Sequence, residues 1–142
     1  MLLVLTPESM LNAGNGEPTE KFYPTSEFRG STDVTPRVSA TMSDDGSQKV
    51  VTLQGYVEVS MYRFSSSSET YTVTLPNEIH PSNKQNLAAT FEILNQKYGE
   101  ELDMEQCYVS GSKMTFTFTR TGSNEVTGTV HVNVDGLRYL AA

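Results

Sequence analysis

Apolar and polar residues alternate one by one along much of this chain, and such alternation predicts strands with one buried face. Val34, Val38, Ala40 and Met42 alternate with Thr35, Arg37, Ser39 and Thr41, which predicts a strand over Val34–Met42. Pro36 makes it an edge strand or confines its pairing to the second half. The long run Lys49–Phe64 places Val51, Leu53, Val57, Val59 and Met61 on one face with Gly55, and Tyr56, Tyr62 and Phe64 on the other. Gly55 predicts a bend or bulge there. Glu69–Leu75 puts Tyr71, Val73 and Leu75 on one side and Thr70, Thr72 and Thr74 on the other. Three further strands follow: Glu105–Val109, a run in which Met114, Phe116 and Phe118 face inward, and Glu125–Val134 with a bulge at Gly128. Asp44-Asp45-Gly46-Ser47, Ser110-Gly111-Ser112 and Thr121-Gly122-Ser123-Asn124 are the turns between neighbours. An apolar tail closes the chain, with Leu137, Tyr139 and Leu140 expected to dock or pair.

The period changes once, between the two sets of strands. Leu87, Phe91, Leu94 and Tyr98 recur at helical spacing and predict an amphipathic helix. Ser82 with Gln85 three residues later forms a capping box, Pro81 blocks helix upstream, and Gly99 offers a C-terminal stop. The expected fold is therefore α+β and mostly antiparallel β: two three-stranded meanders with one amphipathic helix between them. The pattern leaves open whether the meanders share one sheet or form two facing sheets.

Residues 1–32 show no period. Asn12, Gly14, Asn15, Gly16, Pro18, Pro24 and Gly30 are turn formers, and the segment is expected to be an extended N-terminal arm. Residues 33–142 are expected to form a single α+β domain that folds without it. Leu2, Leu3, Leu5, Phe22, Tyr23 and Phe28 are the arm's expected apolar anchors on a partner. Met1–Leu5 is too short for a signal peptide and lacks a basic start, and no run is long enough for a membrane span.

Composition narrows the function classes. The 142 residues carry a net charge of −7, which argues against a nucleic-acid binder, and no local basic patch opposes that. The single cysteine, Cys107, excludes an internal disulfide and a cysteine-based zinc site. No nucleophile elbow, phosphate loop, zinc-protease helix or dinucleotide fingerprint occurs. His80 and His131 stand far apart in sequence, and the acidic run Glu100, Glu101, Asp103 and Glu105 falls in a connection. Thr115, Thr117, Thr119, Thr127 and Thr129 suggest a threonine-studded sheet face, but no internal period accompanies them.

These readings point to a non-enzymatic structural protein with no cofactor, metal or small-molecule substrate. Its expected partners are copies of itself or a major structural protein, with no nucleic acid and no membrane. In composition and layout it resembles the minor capsid, decoration and tail proteins of bacteriophages, which implies a virion assembled in the host cytoplasm. The competing expectation is a monomeric glycan- or protein-binding module using Tyr56, Tyr62 and Phe64.

Overall fold

The structure, a computed structural model, describes residues 18–142. Its strands are β1 (Thr19–Tyr23), β2 (Arg29–Gly30), β3 (Val34–Asp44), β4 (Lys49–Phe64), β5 (Ser68–Thr74), β6 (Gln85–Asn86), β7 (Thr90–Lys97), β8 (Leu102–Ser110), β9 (Lys113–Arg120), β10 (Val126–Asn133) and β11 (Arg138–Ala141). They form two antiparallel sheets. Sheet A has the order β1-β3-β4-β10-β7, with β11 also paired to β4, and sheet B has the order β2-β5-β9-β8-β6. The inward residues of both merge into one core. Val38, Leu53, Val57, Val130 and Val132 come from sheet A, and Val73, Val109, Met114, Phe116 and Phe118 from sheet B, all fully buried. Phe91 of sheet A meets Phe118 of sheet B edge to face, with ring centroids 5.6 Å apart. The fold is a β-sandwich.

The expected α+β class is overturned, because no α-helix occurs among the described residues. The segment read as a helix contains β6 and β7 instead. Leu87, Ala89, Phe91 and Ile93 also alternate with period two, and these are the side chains turned to the core. Leu94 and Tyr98, required by the helical stripe, are each 40% exposed. Asn95 and Tyr98 have φ of 50° and 63°, which breaks any helix there. The supposed capping box has another role. The side-chain amide of Gln85 donates to Leu140 O at 2.8 Å, and its Oε1 accepts from Leu140 N at 2.8 Å, so it pairs like a strand with β11. Marginal local helix propensity loses to the unpaired backbone edges of β8 and β10, which need a partner.

Part of the expected arm also belongs to the sandwich. β1 pairs with the second half of β3, from Thr19↔Asp44 to Tyr23↔Ala40, and β2 pairs with β5. Tyr23 and Phe28 are 2% and 5% exposed, inside the chain's own core. The two meanders do not stay intact either: β5 leaves the first for sheet B, and β10 leaves the second for sheet A. Pro36 lies in the first half of β3, beyond the reach of β1, where its missing N–H leaves no gap in a ladder. Gly55 has φ +96°, and a Cβ there would meet Arg37 O at 2.2 Å, so only glycine fits the bend in β4.

The topology contains a repeat that the sequence does not announce. Advancing each of β1–β5 by five places gives β6–β10 and converts the order β1-β3-β4-β10-β7 into β6-β8-β9-β5-β2, which is sheet B read backwards. Each half begins on the edge of one sheet, crosses to the edge of the other, returns as a hairpin and crosses again. The equivalent arginines that end the hairpins make equivalent contacts. Arg63 reaches Glu125 before β10 (Nε–Oε1 2.9 Å), and Arg120 donates to Ser66 O before β5 (3.0 Å). Among the described residues, no helix is long and apolar enough to cross a membrane.

Candidate functional site

The outer faces of the two sheets differ in kind. On sheet B, Thr70, Thr72 and Thr74 of β5 stand opposite Thr117, Thr115 and Lys113 of β9. Thr70 and Thr117 hydroxyls are 3.2 Å apart, and Lys113 Nζ donates to Thr74 Oγ1 at 3.1 Å. These side chains satisfy one another across the strands, and cross-strand packing accounts for the threonines.

On sheet A the outer face carries aromatic and charged groups in rows fixed by register. Glu58, His131 and Glu92 lie side by side on β4, β10 and β7, and Tyr56, Asn133 and Thr90 form the next row. His131 stacks on Tyr56 with centroids 4.4 Å apart at 31°, and its Nε2 is 3.5 Å from Glu58 Oε1. Asp135 Oδ1 accepts from Gly55 N at 3.0 Å, and Asn133 Oδ1 accepts from Asp135 N at 3.0 Å, which fixes both beside the Tyr56 ring. Tyr56, His131, Asn133 and Asp135 line an open cleft of about 610 Å³, with Thr90, Phe91 and Glu92 on the β7 side. Among the described residues its wall holds no lysine or arginine.

The other end of the same face is different. Tyr62 is 81% exposed, and it lines a second hollow with Lys97, Tyr98 and Arg63. Lys97 Nζ lies 5.8 Å from the Tyr98 ring centroid. Arg63 has φ 55°, and its N–H donates to Thr127 Oγ1 at 3.0 Å. That left-handed residue reverses the alternation of β4, so Phe64 turns inward and is buried, although the sequence groups it with Tyr56 and Tyr62. A simple period of two does not detect such a bulge.

Of the expected partner-binding residues, Leu2, Leu3 and Leu5 lie outside the described residues. Phe22 is 57% exposed on the outer face of sheet A, whereas Tyr23 and Phe28 are core. The two histidines have separate settings: His80 Nε2 is 3.3 Å from Leu75 O, and His131 stands between Tyr56 and Glu58. Glu101 of the acidic run holds a turn, accepting from Asn124 Nδ2 at 2.7 Å and from Asn124 N at 3.2 Å. Among the described residues no group of three potential ligands could hold a metal ion. Cys107 is buried, and desolvation pushes its thiol up to about 12.

No known protein family, curated protein or solved structure matches this chain.

Proposed function

We propose that this chain is a structural, non-enzymatic component of an assembly built from many copies, of the kind that forms a bacteriophage capsid, decoration layer or tail. One observation carries the reading: the exposed large apolar side chains gather on one side. Among the described residues these are Phe22, Tyr62, Leu94, Tyr98 and Leu140, and all lie on the outer face of sheet A or at its rim. Scattered apolar residues on a surface need no explanation, but their confinement to one of two available faces is the pattern of a surface meant to be covered. The partners are copies of itself or a major structural protein of the particle, and the N-terminal stretch with Phe22 extends the same contact. A second reading, a glycan- or protein-binding module, is favoured by the Tyr56–His131 stack in its polar cleft.

The test is stoichiometry in particles purified from the source, with a paired substitution. The chain should be recovered at a fixed high copy number, and Tyr62→Ser with Leu94→Ser should abolish incorporation while leaving the melting temperature unchanged. Thr72→Ser with Thr117→Ser on sheet B should incorporate normally. Recovery of the protein only as a free monomer, or normal incorporation of the sheet A variant, refutes the reading.

A further inference from the structure

In the cleft on sheet A, the backbone holds Asn133 and Asp135 in place, and the atoms it leaves over have a definite chemistry. Asn133 stands in one row with Tyr56 of β4 and Thr90 of β7. Its Oδ1 is committed to Asp135 N at 3.0 Å, so the amide nitrogen is the part left for a ligand, and that nitrogen only donates. Asp135 Oδ1 is committed to Gly55 N at 3.0 Å, which leaves Oδ2, and a carboxylate oxygen only accepts. On the β7 side, exposed Glu92 adds a second acceptor, and the exposed Thr90 hydroxyl both donates and accepts.

A fixed donor beside a fixed acceptor selects among ligands. An ammonium only donates, so the Asn133 amide nitrogen offers it nothing. A carboxylate, sulfate or phosphate only accepts, and Asp135 and Glu92 repel it in a wall that, among the described residues, has no lysine or arginine. A hydroxyl does both, and two neighbouring hydroxyls satisfy the pair at once. The Tyr56 ring, half-buried against His131 with centroids 4.4 Å apart, adds apolar surface against which the C–H face of a sugar ring packs. We infer that the cleft is a binding site for a neutral saccharide, with Asn133 and Asp135 clamping adjacent hydroxyls of one pyranose ring beside Tyr56. Both side chains are positioned before the ligand arrives, so binding spends little on ordering them. The cleft's volume of about 610 Å³ falls within the ~300–1,000 Å³ of small-molecule sites. This rests on the second reading above, the binding module, and names its ligand. None of Phe22, Tyr62, Leu94, Tyr98 and Leu140 lines the cleft, so a subunit of an assembly and a free module carry it alike.

The test follows the amide NMR signals of the isotope-labelled full chain during titration with the methyl glycosides of glucose, galactose, mannose and N-acetylglucosamine. These present adjacent hydroxyls in both cis and trans arrangement, and they are taken to ~50 mM because one small ring on an open site binds weakly. At least one should shift the signals of Gly55 and Asp135, the two N–H groups bound to the clamping side chains. Asn133→Asp keeps the oxygen that accepts from Asp135 N and removes the donor. Asp135→Asn keeps the oxygen that accepts from Gly55 N and removes the free acceptor. Each should weaken binding by about tenfold or more at an unchanged melting temperature, and Tyr56→Ala should weaken it as much. N-acetylneuraminic acid and choline should leave both signals in place. Silence with every glycoside, binding that survives both side-chain exchanges, or tighter binding of choline overturns the inference. Copy number in the particle and the Tyr62→Ser, Leu94→Ser result decide the assembly reading separately, whichever way the titration falls.

Discussion

Tyr23, Tyr71 and Tyr139 bring phenol groups into the sandwich at under a tenth of their exposed surface. Burial pushes Tyr23 up to about 12, aided by its hydrogen bond to the Glu78 carboxylate (2.9 Å). Tyr71 and Tyr139 are raised by burial as well, and Tyr139 donates to Ile79 O at 2.6 Å. A group raised in the folded state stabilises it fully below the unfolded pKa and loses that contribution as pH climbs toward the folded one. The window therefore opens near pH 10, the ordinary value for tyrosine, where the unfolded chain releases protons that the folded chain keeps. The melting temperature should be level through neutral pH and fall steadily above about pH 10. Phenolate absorbance from these three residues should appear only with unfolding, and Tyr23→Phe should flatten part of the loss. A melting temperature unchanged into that range would show that the rings are solvated. Glu78 shifts the other way, held below the usual carboxylate range by Lys21 and by the Tyr23 hydroxyl, so its small contribution is lost on the acid side.

At the scale of elements, the two segments hardest to read in the sequence are topological equivalents. Residues 19–30 and 85–97 each open a half, run along one sheet edge and cross to the other. Edge strands bury one row of side chains, pair on one flank, and carry bulges, so their alternation is short and broken. Where the sequence suggested that a chain beginning near Thr32 folds by itself, β1 and the buried Tyr23 and Phe28 argue otherwise. Deleting two such aromatics removes on the order of 3–5 kcal/mol apiece, comparable to the whole stability of a domain. A chain beginning at Thr32 should show no cooperative melt, and one beginning at Pro18, which keeps the whole described core, should melt cooperatively. A sharp transition in the Thr32 chain would place β1 and β2 outside the folding unit.

At the scale of the molecule, each sheet is made from both halves. Sheet A needs β7 and β10 from the second half, and sheet B needs β2 and β5 from the first. Neither half can close a sheet alone or bury its inward valines and phenylalanines. Chains 18–80 and 81–142 prepared separately should each lack sheet structure by circular dichroism. Mixed, they should regain it with one melting transition, since every core contact remains available. Independent folding of either half would mean that the strands re-pair within one half. The exposed apolar side chains on sheet A belong to this scale too, because they come to one face only after β1, β4, β7 and β11 join the same sheet.

The sequence by itself determined the central strands. β4 spans Lys49–Phe64 as its alternation predicts, and β3, β5, β8, β9 and β10 differ from the expected runs mainly at their ends. Residues with pairing on both flanks and burial on one face, such as Val57, Val59, Phe116 and Phe118, write their environment directly into a period of two. The tail behaved likewise, pairing as β11. Only the tertiary structure decided whether Leu87–Tyr98 would be helix or strand, because Leu87 and Phe91 satisfy both periods. The free edge of β10 settled the choice by supplying backbone partners from Thr90 to Lys97. It also decided that β5 and β10 exchange sheets, and that Phe64 turns inward after Arg63. As a result Tyr56, Glu58, Glu92 and His131, drawn from three strands far apart in the chain, share one face. Neighbours of that kind are set by pairing partners, and local periodicity carries no information about which strand lies next to which.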